Sequence, residues 1–131
     1  NKLNGWSEEF SPTGGDDTDF VMKLWKNDVR IFKGLGKSLA YHFGSITTRK
    51  KDKSLFTYLG SKGNKIFLKK WGITINFFEK NYLKSGIDEN SNLITHQYDG
   101  LLKDPDMNFK FLFNLAKCKL FALYLKLTNF N

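Results

Sequence analysis

Gly14-Gly15-Asp16-Asp17-Thr18-Asp19-Phe20-Val21-Met22-Lys23-Leu24-Trp25-Lys26-Asn27-Asp28 is the stretch on which the fold reading turns. Asp16, Asp17 and Asp19 crowd a single turn, where carboxylates complement the positive end of a helix and can cap its free N–H groups. Phe20, Val21, Leu24 and Trp25 follow at helical spacing, and Asn27-Asp28 closes the segment. The reading is a helix that begins at Asp16 or Asp17. Upstream, Gly5, Pro12, Gly14 and Gly15 punctuate a loop that carries Trp6 and Phe10.

Downstream, residues 29–32 (Val-Arg-Ile-Phe) read as a short strand closed by Gly34 and Gly36. Residues 39–43 (Leu-Ala-Tyr-His-Phe) read as a second strand stopped by Gly44. Residues 45–53 are polar and basic without an apolar period, which predicts a mobile surface loop. From 54 to 85 the pattern is helical in three pieces. The first, around Leu55 and Leu59, is interrupted by Gly60 and Gly63; the second carries Ile66, Phe67 and Trp71 and ends near Gly72; the third ends at Gly86. Residues 87–106 are polar and turn-rich, and Pro105 precedes the last helix.

That last segment, residues 107–127, is nearly continuous in Phe and Leu. At about 100° per residue, Lys110 and Lys117 nearly coincide, while Lys119 and Lys126 lie roughly opposite them. A lone amphipathic helix on a flat membrane would not place its charges so. Either the helix breaks near Cys118, or it packs between two partners. No internal repeat is visible.

Composition sets the outer bounds. The chain has 131 residues, 40% of them hydrophobic with 13 Phe, enough for one domain with a real core and against a disordered or collagen-like chain. Lys and Arg total 21 against 13 Asp and Glu, a net charge of +8. Only Arg30 and Arg49 are arginines, and bidentate recognition of bases and phosphates favours arginine, so nucleic acid is an unfavoured partner. No apolar run approaches the ~18 residues of a membrane span. Residues 1–10 lack a basic segment followed by an apolar one, against a signal peptide. The single Cys118 excludes an internal disulfide framework and a Cys-rich zinc site, and its apolar surroundings predict a small core residue. The fold class expected is α+β and mostly helical, with a two-strand element and about four to five helices in one domain over residues 1–131.

Three motifs occur in a specific order: Gly5-Trp6-Ser7-Glu8-Glu9-Phe10 with Asp16-Asp17-Thr18-Asp19-Phe20; then Tyr41-His42-Phe43-Gly44-Ser45; then Asn64, Phe67 and Lys70-Trp71-Gly72. Their order resembles the C-terminal half of family 2 glycosyltransferases of the GT-A fold, over about residues 4–72. The resemblance divides the chain into an acceptor-side, catalytic part at 1–72 and a helical C-terminal extension at 73–131. It implies a parent enzyme that transfers a sugar from a nucleotide-sugar donor to a glycan or lipid-linked acceptor. Inverting transfer needs a general base for the acceptor hydroxyl, and a carboxylate at a helix N-terminus suits the task. By the resemblance Asp17 is that base and Asp16 its acidic neighbour. Asp19 is expected to orient the loop, cap the helix or meet substrate; plain helix capping is the alternative for all three.

His42, beside Gly44 at a strand end, is the expected ligand of a divalent metal (Mn or Mg) that neutralises the donor diphosphate. His96 lies in a polar loop without such support. Arg49 and Lys50, with Lys51, could close over that diphosphate. Trp6 and Glu9 are expected on the substrate side, and Trp6 and Trp71 could stack on a sugar ring. Asp17-Thr18-Asp19 is an Asp-x-Asp, yet no apolar strand delivers it, so it reads as the acceptor-side motif. The nucleotide-binding α/β half has no counterpart in residues 1–131. The chain therefore reads as a fragment, inactive alone and without a tightly bound cofactor. Exposed apolar surface predicts a homo-oligomer, and the location expected is cytoplasmic, at the inner face of the membrane where an acceptor is lipid-linked. The competing reading is a basic helical module that binds nucleic acid, anionic lipid or a protein partner.

Overall fold

A computed structural model describes residues 3–11, 14–31, 53–84, 86–87, 93–94 and 102–128. In this region the protein is mostly helical. A 3-10 turn at Glu8–Phe10 precedes α1 (Asp16–Lys26), followed by α2 (Lys53–Trp71), α3 (Ile75–Asn81) and α4 (Phe109–Leu127). The described sheet is minimal: β1 (Gly86–Ile87) pairs antiparallel with β2 (Leu93–Ile94), with Gly86 opposite Ile94 and Ile87 opposite Leu93.

α1 starts at Asp16, as its sequence predicts. Its first turn is not capped as expected: Gly15, in the left-handed region at φ 95°, occupies the N-cap and no side chain caps from that position. The Asp17 carboxylate instead accepts the neighbouring Thr18 N–H at 2.7 Å. The helix ends at Asn27, and Asp28 turns the chain at φ 62°, a conformation that Asp tolerates better than most residues. The buried residues of α1 are Asp19, Met22 and Trp25, while Phe20, Val21 and Leu24 are only half-buried. The centre of the inward face is thus rotated towards a carboxylate.

The predicted interruption at Gly60 and Gly63 does not occur. Both glycines lie inside one 19-residue helix. A helical glycine costs about 1 kcal/mol against alanine, and the burial of Phe67 and Leu68 one to two turns on anchors the helix against that cost. α2 does end at Gly72, whose φ of 71° and N–H bond to the Leu68 carbonyl at 2.8 Å make a left-handed C-terminal cap. Thr74 then caps α3 by accepting the Phe77 N–H at 3.1 Å. α3 stops at Asn81 rather than Gly86, with Lys84 at φ 53°.

Phe10, Met22, Trp25, Phe67, Phe77, Phe78 and Phe111, with Ile73, make up the main core. Trp25 meets Tyr82 edge-on with ring centroids 5.5 Å apart, and Phe77 lies 5.2 Å from Phe111. Leu68, Ala122 and Leu125 form a smaller cluster, and half-buried Cys118 packs against both. Arg30 latches the outer end of α1: its guanidinium sits 4.0 Å over the Trp25 ring, donates to the Trp25 carbonyl and pairs with Asp104 at 3.3 Å. The Arg30 carbonyl also accepts the Leu102 N–H.

α4 is unbroken through Cys118, capped by Asn108, whose side chain accepts the Phe111 N–H at 2.9 Å. Its Phe111, Ala122 and Leu125 turn inward against α2 and α3, while Phe109, Phe113, Leu120 and Leu127 remain exposed. Among the described residues no helix is long and apolar enough to cross a membrane. Of the strand predicted at 29–32, the described part makes an isolated bridge at Ile31. The strand predicted at 39–43 lies outside the described residues with His42, His96, Arg49 and Lys50, and so does the loop predicted at 45–53 except for Lys53, which begins α2.

Candidate functional site

The site is built on Asp19. Its side chain is fully buried, and both oxygens are occupied. Ser7 Oγ donates to Oδ2 at 2.7 Å, and Trp71 Nε1 donates to Oδ1 at 2.7 Å. The Lys70 ammonium lies 2.9 Å from Oδ1. It also donates to Ser7 Oγ at 2.9 Å and pairs with the Glu9 carboxylate at 2.7 Å. Lys23, one turn on from Asp19, stands 3.7 Å from Oδ2 and donates to the Gly5 carbonyl at 2.8 Å.

This node joins three segments that are distant in the chain. Ser7 and Glu9 come from the first loop, Asp19 from the first turn of α1, and Lys70 and Trp71 from the last turn of α2. Adjacent residues on a helix point about 100° apart; the long lysine arm and the indole edge let both converge on one carboxylate. Burial alone raises the Asp19 carboxyl, but hydrogen bonds from Ser7, Lys70 and Trp71 and the Lys70 charge outweigh it and hold the group below its usual range. Burial likewise lowers Lys70, and its bonds to Glu9 and Asp19 overcome that and raise it. Both groups are held charged.

Asp19 is thus closed off from solvent, and its bonds tie the first loop to the head of α1 and the end of α2. Glu9 is half in solvent but committed to Lys70, which ties it to the same framework.

The open part of the site lies on the other side of the loop. Trp6, Ser7, Glu8, Phe10, Gly14 and Asp16 line a depression of about 360 Å³. One face of the Trp6 indole stacks on Phe20 at 4.9 Å and an interplanar angle of 17°, while the residue is 59% exposed. That leaves an aromatic platform beside the exposed Asp16 carboxylate, at the helix end whose backbone N–H groups no side chain at Gly15 caps. Asp17 is exposed one residue on, and its charge, after burial, is the second influence that raises the carboxyl of half-buried Glu79 in α3.

The structure thus brings together Trp6, Glu9, Asp16 and Asp19, with Asp17 on the flank. Sequence reasoning gave no role to Ser7 or Glu79 and quoted Lys70 only within a motif. The signal for Lys70 was present in its place beside Trp71, three residues past buried Phe67; nothing in the sequence pointed to Glu79. Among the described residues no three His, Cys, Asp or Glu side chains are grouped to hold a metal ion. No family model, curated protein or solved structure matches the chain.

Proposed function

We propose that this chain is the acceptor-side part of a nucleotide-sugar-dependent glycosyltransferase of the GT-A type, with the donor bound by a half that residues 1–131 do not contain. The observation that carries the proposal is the Asp19 node. The first and third motifs of the resemblance, Gly5–Phe10 with Asp16–Phe20 and Lys70-Trp71-Gly72, are far apart in sequence and share one buried carboxylate. Their common use in one polar junction supports reading them as parts of a single site.

On this reading Trp6 offers its free face to a sugar ring of the acceptor, a glycan or a lipid-linked saccharide. An acidic residue at the head of α1 takes the proton from the attacking hydroxyl. Asp17 has that role by the resemblance, with Asp16 beside it in the depression. The Asp19 node fixes the loop against α1 and α2, so that the Trp6 platform and the carboxylates keep their separation. A divalent metal, Mn or Mg, belongs with His42 at the donor diphosphate, and Arg49 and Lys50 with the same diphosphate. That part rests on residues beyond the described ones and on the donor half. Residues 73–131 form the helical extension, and the setting proposed is the cytoplasm.

Two measurements test this. Titration of the chain with oligosaccharides, read by tryptophan fluorescence, should give saturable binding that Trp6→Ala removes. With the complete reading frame, transfer from nucleotide sugar should fall about a hundredfold or more in Asp17→Asn, the order expected for loss of a general base. Unchanged transfer in both Asp17→Asn and Asp16→Asn would overturn the assignment.

A further inference from the structure

α4 carries two apolar faces, and only one has a partner among the described residues. At about 100° per residue, Phe109, Phe113, Leu120, Leu123, Tyr124 and Leu127 fall within about a third of the helix circumference, opposite the buried line of Phe111, Ala122 and Leu125. They are the exposed ones, Phe109 at 84%, Leu120 at 69% and Leu127 at 75%. Lys110 and Lys117 run along one border of this stripe, and Lys126 along the other. No Asp or Glu occurs from 109 to 127. Because the inward half is sealed against the core, Lys110 and Lys117 edge one side of a single outward face and Lys126 the other, while Lys119 reaches back to donate to the Trp71 carbonyl at 3.4 Å.

The border formed by Lys110 and Lys117 opens into a groove of about 490 Å³ between α3 and α4. Lys80 and Lys84 line its far side, with Asn81 and Asn114 between, and among the described residues Asp106 is the one acid on its wall. The cationic surface thus continues sideways, away from the axis of α4.

We propose that the outward face of α4 is a docking surface for an anionic phospholipid bilayer, the apolar stripe seated at the acyl boundary and the adjoining lysine groove taking lipid phosphates. Charge selects this occupant. A second copy of the chain would set lysine rows against lysine rows, with no acid on α4 to offset them. A partner helix would cover the stripe and one row of charges on each side, leaving the groove unused. A plane of phosphates meets both borders and the groove together, while the lysine stems cover the edges of the stripe. The docking does not rest on the transferase reading, and its test is separate.

The experiment is co-sedimentation of the full chain with vesicles of phosphatidylcholine alone or mixed with phosphatidylglycerol. Binding should be roughly tenfold or more tighter to the anionic vesicles and should weaken as salt is raised. Phe113→Ser and Leu120→Ser alter exposed positions, so the helical circular dichroism should persist while binding falls about tenfold. Lys80→Gln with Lys84→Gln, which leaves α4 intact, should reduce the preference for phosphatidylglycerol. Equal binding to both vesicle types, or none to either, overturns the proposal. So does binding that inorganic phosphate abolishes and Leu120→Ser leaves unchanged, which would make the groove a site for free phosphate. A dimer that Leu120→Ser converts to monomer, with vesicle binding unaffected, would assign the face to a second copy and overturn it equally.

Discussion

The junction of α1 with α2 and the outer side of α4 invert the usual distribution of side chains. At the first a carboxylate is removed from water, and at the second phenylalanine and leucine are left in it. What separates the two is the supply of partners. Asp19 has Ser7, Lys70 and Trp71 around it, and the hydrogen bonds and opposite charge offset its desolvation. Leu120 and Phe109 face no described element. Burial in this protein follows whether each group finds a complement, and hydropathy alone would have ranked these residues the other way round.

The contrast can be broken at several strengths. Phe78→Ala in the core should cost about 3–5 kcal/mol in urea unfolding. Asp19→Ala should cost roughly 2–3 kcal/mol, because it leaves the Trp71 N–H and Ser7 hydroxyl without their acceptor and takes from Lys70 one of its two carboxylates. A loss of less than about 1 kcal/mol in Asp19→Ala would place this junction with ordinary surface ion pairs.

The same carboxyl sets an acid limit. Its folded-state value is lowered, so its contribution is complete above the ordinary value of 3.8 and disappears as pH falls through the folded one. Lys70 is raised, so its contribution is complete below 10.5 and is lost as pH climbs through its folded value. Glu79 runs the other way from Asp19. Its raised carboxyl favours the folded state below 4.5, and that contribution is lost as pH rises through the folded value. Thermal melts across acid pH should therefore show a shallower decline in Asp19→Asn and a steeper one in Glu79→Gln.

Gly72→Ala should cost about 1 kcal/mol, since φ is 71° and a methyl there would meet the flexible end of Lys119 at 2.7 Å. Phe113→Ala should sit last, within about 0.5 kcal/mol of the parent. That Phe78→Ala and Phe113→Ala, the same truncation, differ so widely is the sharpest form of the comparison.

The helices were legible where local chemistry decides them. Asp16 at the head of α1, Asn27-Asp28 at its end, and Gly72 after Trp71 all mark observed boundaries. Gly60 and Gly63 misled because glycine is a local cost that packing of Phe67 and Leu68 can override. The inward face of α1 was misjudged for a related reason. A spacing rule counts apolar residues, and that face includes Asp19, whose partners arrive from residues 7, 70 and 71. The convergence of those residues was foreshadowed only by the order of the motifs. The two faces of α4 were visible as a choice between a broken helix and one held between partners; the structure supplies the unbroken helix and one of the two.

Arg30 has a consequence for how the chain tolerates change. With one guanidinium pinned to Trp25 and Asp104, the backbone leaves α1 from a fixed point, and α2 takes it up again at Lys53. That one side chain holds residues 25, 30 and 104 together, so a substitution at any of the three should be felt at the other two.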